Sequence, residues 1–558
     1  MPGEIIVRSL FIIVANTLMS MKKTSSIKHL YDNAVLNICL DTIGKDRQAL
    51  VFVNTKRSAE AEAERTSSKI RLNQKTRKGL EEISSKALKA LDKPTRQCKR
   101  LALCLKRGVA FHHAGLHSSQ RELIENNFRK GLIKIICATP TLAFGINLPA
   151  FRVIVRDLKR FAPPRGMSWI PVLEFQQFCG RAGRPDFNDN FGEAICIAQT
   201  DSEKEKIIDN YIRGETEEIL SKLAVEPVLR TYVLSLIATE FACTKKALTD
   251  FFKKTFYAYQ FRDVKKLKSI ITRILKSLEE WDFITTEGEK VEATLLGLRV
   301  SQLYLDPYTA HYLVTCLKRA KDKIIRPFSF IQMISYTLEL RPLLTVRTSE
   351  YEYIDEKASE YQRSILSMEP SMFEPEYEEY LKSIKTALFF KDWINEKDDE
   401  TLLEQYNIRP GESRAKLERA DWLLYSSQEL CKLIKLHSLI SGLAKTRIRL
   451  KYGAKEELLP LLRLKNIGRV RARKLFNNRI KSIEDVKKAD ITMLKQLMGQ
   501  QTALSIKKQV GQEFREEKIR VKKGRRKGQT SIKKYDKKGR KYDKKEKEQK
   551  KQKKKAKK

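Results

Sequence analysis

The chain has 558 residues, with 111 Lys and Arg against 69 Asp and Glu, a formal net charge of +42. One hydrophobic core rarely grows past about 250–300 residues, so this length predicts several domains, and a 41% apolar content is enough to build them. The charge argues against an acidic-surfaced metabolic enzyme and makes a polyanion, above all nucleic acid, the leading partner. Ribosomal and membrane-surface proteins share such a balance, so charge alone does not decide.

Nine cysteines occur without a C-x-x-C pair, the pattern of reduced thiols expected of a soluble, cytoplasmic protein. The apolar stretch Ile5–Met19 is interrupted by Arg8 and Asn16 and is too short for a spanning helix. Residues 1–45 are otherwise left without an assignment.

From 46 to 200, short apolar runs (Ala49–Val53, Val109–His112, Lys134–Ala138, Arg152–Arg156, Glu193–Ala198) alternate with helix-like stretches at Ser58–Lys69, Leu80–Lys106 and Ser119–Lys130. The alternation predicts an α/β domain on a mostly parallel sheet, with its functional residues in loops at the carboxyl ends of the strands. Residues 201–304 read as short helices followed by a hairpin near Trp281–Lys290, the pattern of a winged helix. Residues 305–443 read as a helical bundle broken at Pro327, Pro342, Pro370, Pro375 and Pro410. Residues 444–517 are helical and punctuated by glycine. The stretch 518–558 holds 23 Lys and Arg against four Asp and Glu and cannot bury a core.

The richest segment is Gln176-Gln-Phe-Cys-Gly-Arg-Ala-Gly-Arg-Pro185. Arg181 and Arg184 can set planar guanidinium forks on a phosphate, while Gly180 and Gly183 let the backbone come close. Alone, the segment would serve equally as a basic surface turn. Upstream stand Val51-Phe-Val-Asn-Thr-Lys-Arg-Ser-Ala-Glu60, Gly108-Val-Ala-Phe-His-His-Ala-Gly-Leu116 and Ala138-Thr-Pro-Thr-Leu-Ala-Phe-Gly-Ile-Asn-Leu-Pro149. Each begins at or just after a predicted strand. His112, His113 and His117 lack the nearby Cys or carboxylate that a metal site requires, so no metal is expected there.

In order, these four segments resemble motifs IV, IVa, V and VI of the second RecA-like motor domain of superfamily-two helicases. The wording HHAGL, TLAxGxNLPA and QxxGRAGRP is similar to the archaeal, Ski-like DNA repair helicases related to the polymerase-theta helicase domain. The likeness continues through Leu295–Tyr308, Arg341–Arg347, Pro410–Tyr425 and Val521–Gln529. It implies a motor domain followed by winged helix, helical ratchet and helix-hairpin-helix, acting as a 3′-to-5′ helicase on branched or stalled forks. ATP with Mg²⁺ and single-stranded or forked DNA are the implied ligands. Such helicases also carry a first motor domain with a G-x-x-x-x-G-K-[ST] loop and an acidic magnesium motif, and neither motif occurs in these 558 residues. A separate chain carrying that domain is therefore an expected partner, unless the chain is a truncated product. The isolated chain is expected to be inactive.

The resemblance implies roles residue by residue. Arg181 and Arg184, positioned by Gln177, would face the ATP phosphates, with Gly145, Asn147, Gly180 and Gly183 lining the same cleft. Asn54, Thr55, His113, Gly115, Thr139 and Thr141 would hold a DNA strand by its phosphates. Between motifs V and VI, Lys159, Arg160, Phe161 and Trp169 flank Pro163-Pro-Arg-Gly166. They form either a strand-separating wedge or a surface hairpin packed on the next domain. In the ratchet, Arg414 and Trp422 would follow the strand, although a Trp within Asp421-Trp-Leu-Leu-Tyr425 serves equally as core. Gly468, Arg469 and Arg471 lie in a helix-hairpin-helix turn where Asn466 replaces an expected glycine, a residue tolerant of left-handed backbone. That domain either binds DNA or clamps the motor. The Lys-rich stretch reads as a nucleic-acid arm or as a solubilising run. The rival readings of the whole are a DNA-binding subunit with relic motor motifs and an RNA helicase fragment.

Overall fold

Runs rich in Val, Ile and Phe with no exposed face form the strands of a central sheet, since buried parallel strands are apolar on both faces. In the computed structural model, residues 10–15, 27–70, 74–91, 93–144, 147–162, 166–183 and 192–512 are described. In chain order the first strands are β1 (Leu10–Ala15), β2 (Ala49–Phe52), β3 (Val109–His112), β4 (Ile135–Ala138), β5 (Arg152–Val155), β6 (Lys159–Ala162), β7 (Gly166–Trp169) and β8 (Gly192–Ile197). The six-stranded sheet has the order β1-β8-β5-β2-β4-β3. All its pairings are parallel except that of the edge strand β1, which runs antiparallel to β8. An apolar run too short to span a membrane is long enough to close a sheet edge, and β1 comes from within Ile5–Met19.

The helical stretch expected at Leu80–Lys106 is two helices, Gln74–Leu88 and Arg96–Leu105. Pro94 separates them, and the Thr95 hydroxyl caps the second by accepting from the Cys98 amide. A proline here removes an amide and disfavours helix at the residue before it. Behind the sheet, Arg152 is 2% exposed. Its guanidinium donates to Asp41, Thr42 and Glu193, which holds the helix Ala34–Gly44 against β5 and β8.

Beyond Tyr211 the chain is mainly helical. The helices Glu226–Ala238, Lys245–Lys253, Phe256–Phe261 and Val264–Glu280 precede a hairpin of β9 (Ile284–Glu287) and β10 (Lys290–Ala293). This is the helix-then-wing order expected for 201–304. One continuous apolar core runs from there into the bundle, joining Leu229, Ile274 and Phe283 to Leu313, Phe330 and Leu424. The sheet has its own core around Leu50, Phe111, Ile136 and Ile154. The longest helix, Pro410–Leu433, begins with Pro at its first position, where no amide hydrogen bond is lost.

Two compact units are present, 1–482 and 483–558. The described part of the second has helices Ile483–Lys488, Ile491–Met498 and Gln500–Gln509 packed through Val486, Leu494, Ala503 and Ile506. Among the described residues no helix is long and apolar enough to cross a membrane. The Lys-rich stretch 518–558 lies outside the described residues.

Gly297, in helix Leu295–Gln302, has no room for a side chain, because a Cβ there would meet the backbone carbonyl of Phe283. Gly297→Ala should therefore lower the unfolding free energy of the winged-helix region by about 1–3 kcal/mol. Urea unfolding checks this, and an unchanged midpoint would contradict the packing described.

Candidate nucleic-acid and nucleotide interface

A parallel sheet presents the ends of its strands along one edge. β2 leads into Asn54 and Thr55, β3 into His113 and Gly115, and β4 into Thr139 and Thr141, so these six residues lie on the carboxyl edge of adjacent strands. Thr55 is the N-cap of helix Lys56–Lys69, accepting from the Ser58 amide at 3.0 Å. Thr139 and Thr141 hydroxyls are 3.0 Å apart. A row of hydroxyls and helix N-termini suits phosphate oxygens.

His113 is fully buried rather than displayed. Its Nδ1 accepts from the Gly115 amide at 3.1 Å, so in the neutral ring the proton sits on Nε2, 3.2 Å from Glu60. Burial, aided by the charges of Arg409 and Lys56, pushes the ring below the ordinary histidine value against the pull of Glu60. His113 thus shapes the turn from inside. His112 faces Glu125 at 3.0 Å, and His117 caps the helix Ser118–Arg129, so the three histidines have separate partners.

Arg181 follows the helix Val172–Cys179. Its carbonyl accepts from Ala150 and the Gly183 amide donates back to Ala150, tying the motif to the sheet. Its guanidinium donates to the Ala143 carbonyl while its Nε is buried with no hydrogen-bond partner. Gly183 adopts φ +96°, in the left-handed region that favours glycine. Gln177 and Gly180 are exposed on the same segment, and exposed Asn147 offers its carbonyl to Arg129 at 3.5 Å. Arg184 and Gly145 lie outside the described residues.

β6 and β7 form the antiparallel hairpin expected between motifs V and VI, with Phe161 opposite Met167. Its turn, 163–165, lies outside the described residues. The Asn54 amide is bonded to the Lys159 carbonyl, which fixes the hairpin to the β2 loop. Its cations are paired but still partly exposed: Lys159 pairs with Glu203 at 2.9 Å above the Trp169 ring, and Arg160 pairs with Glu174 at 2.8 Å. Trp169 sits edge-on to Tyr211. What projects is apolar, Phe161 at 70% and Met167 at 66% exposed. Met167 was not singled out in the sequence, because its partnership with Phe161 depends on the register of the hairpin.

On helix Pro410–Leu433, Arg414 pairs with Glu418 on the surface at 3.0 Å. Trp422 is half-buried and donates its indole N–H to the Leu303 carbonyl at 3.1 Å. Asn466 adopts φ +68°, the left-handed turn that its substitution for glycine requires. Gly468 caps the helix Arg469–Asn477. Arg469 stacks over Trp393 at 4.7 Å and donates to the Lys397 carbonyl, whereas Arg471 is exposed and donates only to Asn466. Arg473 pairs with Glu396 and Glu457.

The neutral state of His113 is testable. Its stabilising effect is complete above the unfolded histidine value of about 6.5 and is lost as pH falls through the lower folded value. The ring resonances of His113 should therefore titrate below the ordinary histidine value in NMR. A midpoint at or above the ordinary value would contradict the buried geometry.

Four family models match the chain in order: "Helicase conserved C-terminal domain" over 31–186, "Helix-turn-helix domain" over 192–285, "Archaeal helicase, domain 4" over 328–453, and "SAM-like Helix-hairpin-helix tandem" over 458–511. Among similar curated proteins are those named ATP-dependent DNA helicase Hel308. That of Pyrococcus horikoshii is 39% identical over 490 residues, covering 87% of this chain and 67% of the relative. That of Methanocella arvoryzae is 36% identical over 498 residues, covering 88% and 66%. That of Caldivirga maquilingensis is 33% identical over 491 residues, covering 84% and 63%. The chain thus spans about two thirds of the length of these relatives. With its second motor domain, helix-turn-helix, fourth domain and helix-hairpin-helix in that sequence, the chain belongs to the Hel308 family of archaeal DNA helicases.

Proposed function

We propose that this chain is the second-motor-domain part of an ATP-dependent 3′-to-5′ DNA helicase that acts on branched or stalled forks. The carrying observation is that Asn54, Thr55, Thr139, Thr141 and the His113–Gly115 turn share one sheet edge, next to the start of the helix that bears Arg414 and Trp422. One DNA strand held by its phosphates along that edge continues onto the helix, where Trp422 reaches a base only from its half-exposed face. Phe161 and Met167 at the hairpin supply the apolar wedge that stacks on an opened base pair. Gly468 and Arg471 offer a further phosphate contact, whereas Arg469 spends its charge on Trp393. Ratchet, wing and helix-hairpin-helix together favour DNA over RNA.

For ATP the donor set fits one half of a site. Arg181 has a buried Nε without a partner, and Gln177 and Gly180 are exposed on the same segment. Two guanidinium groups, Arg181 and Arg184, stabilise charge on a transferring phosphoryl group. ATP with Mg²⁺ supplies the phosphoanhydride whose cleavage drives stepping. The other half of the site, the phosphate loop and magnesium acid, comes from a first motor domain, and these 558 residues contain neither motif. Exposed Asn147 is assigned to the same cleft.

Two measurements test this reading. The pure chain should show no ATP turnover, and adding a first motor domain should give DNA-stimulated ATPase that Arg184→Ala lowers by about 10³-fold or more. Turnover by the chain alone would contradict the shared site. Failure of any first domain to restore turnover, with Arg184→Ala silent in the cell, would instead mark a DNA-binding subunit. Deleting 518–558 should weaken DNA binding equally across sequences and flatten its salt dependence, because Lys–phosphate contacts release counterions. An unchanged slope would make that stretch a bystander.

A further inference from the structure

One buried charged cluster has no task in that reading. Glu60, on helix Lys56–Lys69, is 3% exposed. It gathers groups from three other segments: His113 Nε2 at 3.2 Å, Gln97 Nε2 at 3.1 Å with Arg100 at 2.5 Å, and Arg409 Nε at 3.1 Å. The first two segments belong to the sheet domain. Arg409 is the N-cap of the helix Pro410–Leu433 and lies 349 residues away in the chain.

The backbone around this carboxylate is equally close. The Gly411 amide donates to the Gly115 carbonyl at 3.0 Å. A Cβ on Gly411 would collide with the carbonyls of Ala114 and Leu116, and one on Gly115 would collide with the Arg409 side chain. Lys56 pairs with Glu412, whose other oxygen accepts from the Arg409 amide at 3.0 Å. Domain interfaces that allow relative motion are usually polar and loosely held, whereas this one interlocks a buried carboxylate with backbone seated on two glycines. Removing one partner of such a cluster strands a buried charge.

We propose that Glu60 is a positioning residue that locks the first turn of helix Pro410–Leu433 onto the His113–Gly115 turn, so that the helix and the second motor domain move as one body during ATP-driven stepping. The proposal rests on the motor reading above. Burial would raise the Glu60 carboxyl, but the hydrogen bond from His113 and the charges of Arg409 and Arg100 hold it down to about 2, so the lock stays charged at every physiological pH. At 1.5 Å per residue the 24-residue helix is a rod of about 36 Å. Movement at Gly115 is thereby passed directly to Arg414 and Trp422, and Glu60 itself touches neither DNA nor nucleotide.

The test uses the full chain with Glu60→Gln, Arg409→Met and the double variant. In hydrogen exchange, the amides of 114–116 and 411–414 should exchange at least about tenfold faster in each single variant and no faster in the double, while Leu50–Phe52 stays protected as a check on folding. With a first motor domain supplied, Glu60→Gln should keep DNA-stimulated ATPase within about twofold but unwind at least about fivefold fewer base pairs per ATP, and Glu60→Asp should recover part of the loss. A destabilised fold would lower both rates together, and that result, or unchanged exchange in both single variants, overturns the proposal. If the unaltered chain gains no ATPase from a first motor domain, the motor reading fails and the stepping role with it. The exchange data then still decide whether the lock itself exists.

Discussion

Two glycines that face each other set the arrangement on which the rest depends. Gly115 ends a turn at the carboxyl edge of the sheet, Gly411 opens the longest helix, and the backbone bond between them needs both to lack a side chain. That contact seats the helix that bears Arg414 and Trp422 against the loop after β3, on the sheet edge where Thr55 and Thr141 are exposed and Thr139 is buried. Separately, the sheet edge offers phosphate ligands and the helix offers a ring and a guanidinium. Joined at this seat, they form the path along which we propose that one DNA strand runs. His113 and Glu60 sit beneath the seat, and their burial explains why neither is displayed to a ligand.

The net charge of +42 is less available than the composition suggests. Lys159 and Arg160 on the hairpin are paired with Glu203 and Glu174, Arg473 with Glu396 and Glu457, and Arg469 lies on Trp393. Exposed ion pairs of this kind contribute only about 0–1 kcal/mol each, so their main effect is to fix orientation. The hairpin consequently presents Phe161 and Met167 more fully than its paired cations, which suits the proposed prying apart of bases. On the reading proposed above, exposed groups such as Arg471 and the Lys-rich stretch 518–558 supply charge for phosphates.

Much of the fold was legible because its signals are local. Strands β2 to β5 are four-residue, largely apolar runs, and a mostly parallel sheet follows from their alternation with helices. Asn466 was legible for the same reason: a left-handed turn favours Gly or Asn whatever surrounds it. Signals that depend on distant partners were not legible. β1 needs β8, more than 170 residues away, to become a strand. The split of 80–106 turned on Pro94, visible but outweighed by the apolar periodicity on either side. Glu60 lies one residue from Ala59 on a core-facing helix, and only the fold brings Arg409 to it. Arg469 and Arg471 look alike in sequence, yet one faces Trp393 and the other solvent.

The central claim is that a single strand runs from the sheet edge onto the helix Pro410–Leu433. Photocrosslinking the full chain to a 3′-tailed fork with reactive bases along the tail tests it most directly. The account predicts adducts on peptides containing Thr139–Thr141, Phe161–Met167 and Arg414–Trp422, in that spatial order along the strand. Adducts confined to 458–558, with none on the sheet edge or the helix, would contradict it.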